Sequence, residues 1–141
     1  MAARASAEWK GTIKEGGGTF TAGDSLGGEY SFKSRFEDGP GANPEQMIAG
    51  AHASCFSMAL SLVLEQAGTP VDSVKTDAKV TLRMLEEGPT ITRIELTTVG
   101  RVPGSDQAAF EEAAEQAKAS CPISKALSGV PEITLEATLE A

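Results

Sequence analysis

The stretch NPEQMIAGAHASCFSMALSLVLEQAG, Asn43 to Gly68, decides the fold. Asn43 is a favoured N-cap, Pro44 suits the first helical position, and Gln46 stands where a capping-box partner belongs, so a helix starts there. Gly68 fits the left-handed position after a helix and Pro70 blocks continuation, which places the end near Ala67. No residue from Met47 to Leu64 is charged, enough to pass the crude length test for a membrane span. The details argue against a span. Gly50, His52, Ser54, Ser57 and Ser61 lie inside the run, it has no basic or aromatic flanks, and the rest of the chain is polar. A helix apolar on nearly all sides in a soluble protein is buried on nearly all sides, by its own sheet or by a second subunit.

Strand patterns flank this helix. In the N-terminal third, Ala7, Trp9, Gly11 and Ile13 alternate with polar residues until GGG (16–18) breaks the run. GDSLGG makes a second turn, and YSFKSRF (30–36) reads as a short strand that leaves Arg35 at its end, beside the loop EDGPGA. Beyond the helix, VDSVKTDAKVTLRML and TRIELTTVGRV form a long hairpin around EEGP, with Val74, Thr76, Ala78, Val80, Leu82, Met84, Ile94, Leu96, Thr98 and Val102 facing inward. A second helix spans 106–119, with Phe110, Ala113, Ala114 and Ala117 on one stripe. Cys121 and Pro122 open a short helix, and ITLEATLE is a last strand. The expectation is an α+β fold of antiparallel sheets with a long buried central helix, residues 1–141 forming a single domain.

Composition narrows the function. The net charge is -8, so phosphate backbones and anionic membranes are excluded as partners by the protein's own field. No apolar targeting segment opens the chain, and a cytoplasmic location is expected. In a reducing compartment two cysteines are catalytic, redox-sensing or simply buried. A single histidine, His52, argues against a His-rich metal site.

Cys55 lies about three turns into the helix, beyond the reach of its N-terminal dipole, so a thiolate there needs a separate cation. Arg35 is the basic residue nearest the helix entry. Cys121, directly before Pro122, takes an N-cap, where free amides favour a thiolate. Glu45, in the first helical turn, complements the dipole or serves a site; both readings stand. Free cysteines are often inert packing, and His52, three residues before Cys55, matches a hydrogen-bonded core histidine and receives no role. Glu45 and Cys55 are ten residues apart, about 15 Å along a helix axis, so this carboxylate does not touch that thiol within one helix. Either Arg35 bridges them or Glu45 serves a second subunit.

The segments RFEDGPGANPEQMIAGAHASCFSMALSL and AKASCPISKAL resemble the two signature regions of the osmotically inducible protein C (OsmC) family, relatives of the organic hydroperoxide resistance (Ohr) proteins. NPE before the helix, HASCF within it and CP after the second helix carry the likeness, and SMALSL and CPIS favour the OsmC branch. The resemblance implies a cysteine-based peroxidase that reduces organic hydroperoxides, and hydrogen peroxide more weakly. It implies an intertwined homodimer with no bound cofactor or metal and an external dithiol or lipoyl-protein reductant. Carried over by residue, Cys55 is the peroxidatic thiol, Cys121 the resolving thiol, and Arg35 and Glu45 the charged pair that activates and orients. The apolar run would then wall the site with Phe36, Met47, Ile48, Phe56 and Met58. Two other readings compete: a thioredoxin-type oxidoreductase, weakened by the lack of CxxC, and a non-enzymatic module for an apolar ligand with two inert cysteines.

Overall fold

A computed structural model describes residues 1–140. They divide into two compact units, Met1–Met47 and the chain from Ile48 onward. In the first, β1 (Ala5–Lys10), β2 (Gly17–Ala22) and β3 (Leu26–Tyr30) form an antiparallel meander in the order β1-β2-β3. Tyr30 packs against Trp9 and Phe20, with ring centroids 5.6 and 6.4 Å away.

The expected strand over 30–36 is corrected. Its first residue ends β3, and Phe32–Phe36 is a short helix, α1. A reciprocal capping box overrides the alternation: the Ser34 amide donates to Ser31 Oγ at 3.1 Å and the Ser31 amide to Ser34 Oγ at 2.8 Å. Phe32 and Phe36, four residues apart, then stack on one helix face with centroids 5.0 Å apart.

The long helix α2 runs Pro44–Gln66. Its start is as expected, with the Gln46 amide donating to Asn43 Oδ1 at 2.8 Å. Its end is a Schellman closure in which the Gly68 amide donates to the Glu65 carbonyl and the Thr69 amide to the Leu64 carbonyl, with Gly68 at φ 88.

In the second unit, β4 (Ser73–Leu85) and β5 (Gly88–Arg101) form the hairpin, with a register shift between Thr81 and Leu82. Downstream of that shift Met84 is 69% exposed rather than inward. Helices α3 (Gln107–Ser120) and α4 (Pro122–Ala126) lead into β6 (Glu132–Leu139). The α+β class stands, but β6 pairs with β5 in parallel, because a crossover through two helices returns the chain to the same end of the sheet. Phe56, Leu60 and Leu64 of α2 form a core with Ile94, Leu96, Phe110, Ala114 and Ala117. The buried stripe of α2 is narrow, recurring every four residues from His52 to Leu64, while Met58 is 76% and Leu62 52% exposed. Among the described residues from Ile48 onward, α2 is fully buried only along that stripe.

Candidate active site

The charged pair is assembled within the first unit. Ser34, besides closing the capping box, donates its hydroxyl to the Ala42 carbonyl at 2.7 Å and accepts at its own carbonyl from Asn43 Nδ2 at 2.9 Å. The α1 helix is thereby fastened to the N-cap of α2, which brings Arg35 to Glu45. Arg35 Nε and Nη2 donate to Glu45 Oε1 at 3.0 and 2.8 Å. Both bonds land on one oxygen, and Oε2 is buried without a hydrogen-bond partner among the described residues. The guanidinium also lies over the Phe36 ring, 5.5 Å from its centroid. Arg35 thus sits on a helix, not at the expected strand end.

The thiols meet in the second unit. Cys55 is on α2, half-buried, and Cys121 is wholly buried at the N-cap of α4, with no disulfide between them. Burial, then the adjoining Cys121 thiol, push Cys55 above its usual value, against a smaller pull from the Ile123 amide. Burial also works to raise Cys121, but the Ser124 amide, the Cys55 thiol and the Ser124 hydroxyl outweigh it and bring Cys121 below its usual value. These groups face the sulfur without closing a cap hydrogen bond of good geometry.

A groove of about 830 Å³ opens beside the thiols. Cys55, Met58, Leu62 and Val63 of α2 line it, with Ser120 and Pro122 from the α3–α4 junction. Of the expected lining, Met58 is present, whereas Phe56 is fully buried in the core. Leu62, Val63 and the α3–α4 residues were not expected; four-residue spacing from Met58 to Leu62 was the available signal. Among the described residues no three His, Cys, Asp or Glu side chains cluster at metal-ligand spacing.

Two adjoining thiols, one open to an apolar groove and one at a helix N-cap, define a dithiol domain of α+β class. Residues 37–136 match the model of the OsmC-like protein family, and the chain belongs to that family. Peroxiredoxin OsmC of Escherichia coli is 42% identical over 140 residues, covering 98% of this chain and 96% of that one. The crystal structure of the organic hydroperoxide resistance protein OhrB of Bacillus subtilis superposes with a TM-score of 0.68 at 26% identity, over 97% of this chain and 98% of that one. An OsmC-like protein of Mycoplasma pneumoniae, 15% identical, shares the fold with a TM-score of 0.77 over 100% of this chain and 99% of that one.

Proposed function

We propose that this protein is a cysteine-based peroxidase that reduces organic hydroperoxides, and hydrogen peroxide more weakly, in defence against oxidative stress. The adjoining thiols beside an apolar groove carry the reading. The Cys55 thiolate attacks the terminal oxygen of the hydroperoxide, the O–O bond breaks, and the alkoxide leaves and takes a proton to become the alcohol. Cys55 is left as a sulfenic acid. Cys121 then attacks its sulfur, the S–S bond forms, and water leaves, which spares Cys55 from over-oxidation. An external dithiol or a lipoyl-bearing protein reduces the disulfide, so no bound cofactor is needed.

Because burial and the second thiol raise Cys55, a cation must offset them. The role is given to Arg35, with Glu45 orienting its guanidinium, within the chain or across a dimer. The exposed Met58 and Leu62 support a homodimer in which a second copy closes the open side of the groove. Family membership supports a soluble protein, and a cytoplasmic location is part of the proposal. An inert apolar-binding module explains the groove but not the meeting of two thiols from distant parts of the chain.

Steady-state assays with an alkyl hydroperoxide, hydrogen peroxide and a dithiol donor test the proposal. Cys55→Ser is expected to abolish turnover, whereas Cys121→Ser consumes about one peroxide per site and then accumulates over-oxidised Cys55. Substantial turnover by Cys55→Ser refutes the assignment.

A further inference from the structure

His52 and Ser124 lie beside the thiols, and the proposed reaction leaves both unused. His52, the chain's single histidine, is wholly buried on α2. Its Nε2 is 2.7 Å from Ser124 Oγ, and its Nδ1 is buried with no partner among the described residues. Ser124 is itself buried in the first turn of α4, three residues after Cys121 at the N-cap, where its amide and hydroxyl lower the Cys121 pKa.

Counting protons fixes the direction of this chain. The Ser124 hydroxyl has one proton, which serves either His52 or Cys121. If it goes to Nε2, the neutral ring carries its own proton on Nδ1 as an orphaned buried donor, the rarer kind of defect. If the ring proton sits on Nε2, His52 donates to Ser124 Oγ, Ser124 donates to the Cys121 sulfur, and only an acceptor lone pair is left over. The ring is also a poor general base, because burial lowers its pKa from the usual 6.5 and no group among the described residues pairs with an imidazolium there.

We propose that His52 and Ser124 are positioning residues for Cys121, forming a one-way hydrogen-bond chain that stabilises its thiolate as it attacks the Cys55 sulfenic acid. The inference rests on the resolving role given to Cys121. In that step the Cys121–Cys55 S–S bond forms, the S–O bond of the sulfenic acid breaks, and the hydroxide leaves with the proton that Cys121 gave up. The groups facing Cys121 are Cys55 from α2 and Ile123 and Ser124 from α4, of which Cys55 is titratable.

Disulfide formation after one equivalent of an alkyl hydroperoxide is the first readout. Ser124→Ala is expected to slow it about tenfold at neutral pH, the size of one hydrogen bond to a charged acceptor. The deficit should close at alkaline pH, where Cys121 ionises unaided. Ser124→Thr should restore the rate; His52→Gln, which keeps a donor, should rescue better than His52→Leu. Nitrogen-15 NMR of the unsubstituted protein tests the chain without any variant, since its one histidine should show the Nε2–H tautomer. An Nδ1–H tautomer, or a parental disulfide rate in Ser124→Ala at neutral pH, overturns the proposal. If the parent forms no Cys55–Cys121 disulfide, the resolving role falls, and the chain is judged separately in Cys55→Ser, where Cys121 is the sole thiol. There, ultraviolet titration of the thiolate should move to higher pH on adding Ser124→Ala, and an unmoved titration overturns the chain.

Discussion

Arg35→Ala removes one member of the ion pair, and its cost follows from the geometry. The Glu45 side chain is 9% exposed and that of Arg35 38%, and both guanidinium bonds end on Glu45 Oε1. Breaking a fully buried pair costs about 3–5 kcal/mol, because the remaining charge stays desolvated. Here water reaches the guanidinium side and screens part of that loss, leaving about 2 kcal/mol. At about 2.1 cal/mol/K of unfolding entropy per residue, a chain of 141 residues then loses about 7 K in Tm. A structural role for Arg35 other than pairing predicts that any second substitution adds further loss. Pairing predicts the opposite. The double variant Arg35→Ala/Glu45→Gln strands no charge and is expected to be about 1 kcal/mol more stable than Arg35→Ala alone. Urea unfolding at fixed protein concentration measures both. A double variant no more stable than the single one, or a loss under about 0.5 kcal/mol for Arg35→Ala, refutes the reasoning.

Gly100→Ala is expected to destabilise by about 1–3 kcal/mol, because the added Cβ runs into the buried Phe110 ring and the packed core has no room to yield; an unchanged Tm refutes this. Asp106→Ala should cost about 1 kcal/mol by removing the bond from the Ala109 amide to Asp106 Oδ1, with Asp106→Ser retaining most of it; equal losses in the two variants would count against the cap. Burial lowers the His52 pKa from 6.5, so the unfolded chain binds a proton that the folded one refuses, and stability is expected to fall as pH drops below that value. Denaturant midpoints of the parent and His52→Gln should diverge with pH there, and parallel curves would remove His52 as the source.

What the sequence disclosed was mostly local. Asn43, Pro44 and Gly68 marked the ends of α2 because caps act over three or four residues, and Cys121–Pro122 marked an N-cap for the same reason. The α1 segment reads as a strand because Tyr30, Phe32 and Phe36 fit a two-residue period, while Phe32 and Phe36 also fit a helical one, and Ser31 followed three residues later by Ser34 decides between them. Alternation in the last strand showed its faces but not its direction, so the parallel pairing of β6 was hidden. The uncharged run on α2 carried no contrast from which its narrow buried stripe could be read. The meeting of Cys55 with Cys121 came from family resemblance, since no spacing rule joins residues so far apart.

The proposed roles of the two thiols depend on access more than on acidity. Cys121 is the sulfur whose ionisation is favoured, which taken alone would make it the nucleophile toward peroxide. It has no exposed surface, whereas Cys55 lines the groove. A hydroperoxide must approach sulfur along its O–O axis, so the accessible thiol reacts first even when the hidden one holds more of the charge. The two thiols adjoin, so the ionisation of each depends on the other. With Cys121 protonated, a Cys55 thiolate faces the groove, and a cation brought beside Cys55 would favour that form. Once Cys55 is a sulfenic acid, the requirement reverses, because the attacking thiol must now ionise, and its lowered pKa favours that in Cys121. The buried N-cap cysteine then meets the need, and its burial keeps peroxide from oxidising it in turn. Exchanging the roles would put the more basic thiol in the resolving step and hide the peroxidatic one from its substrate.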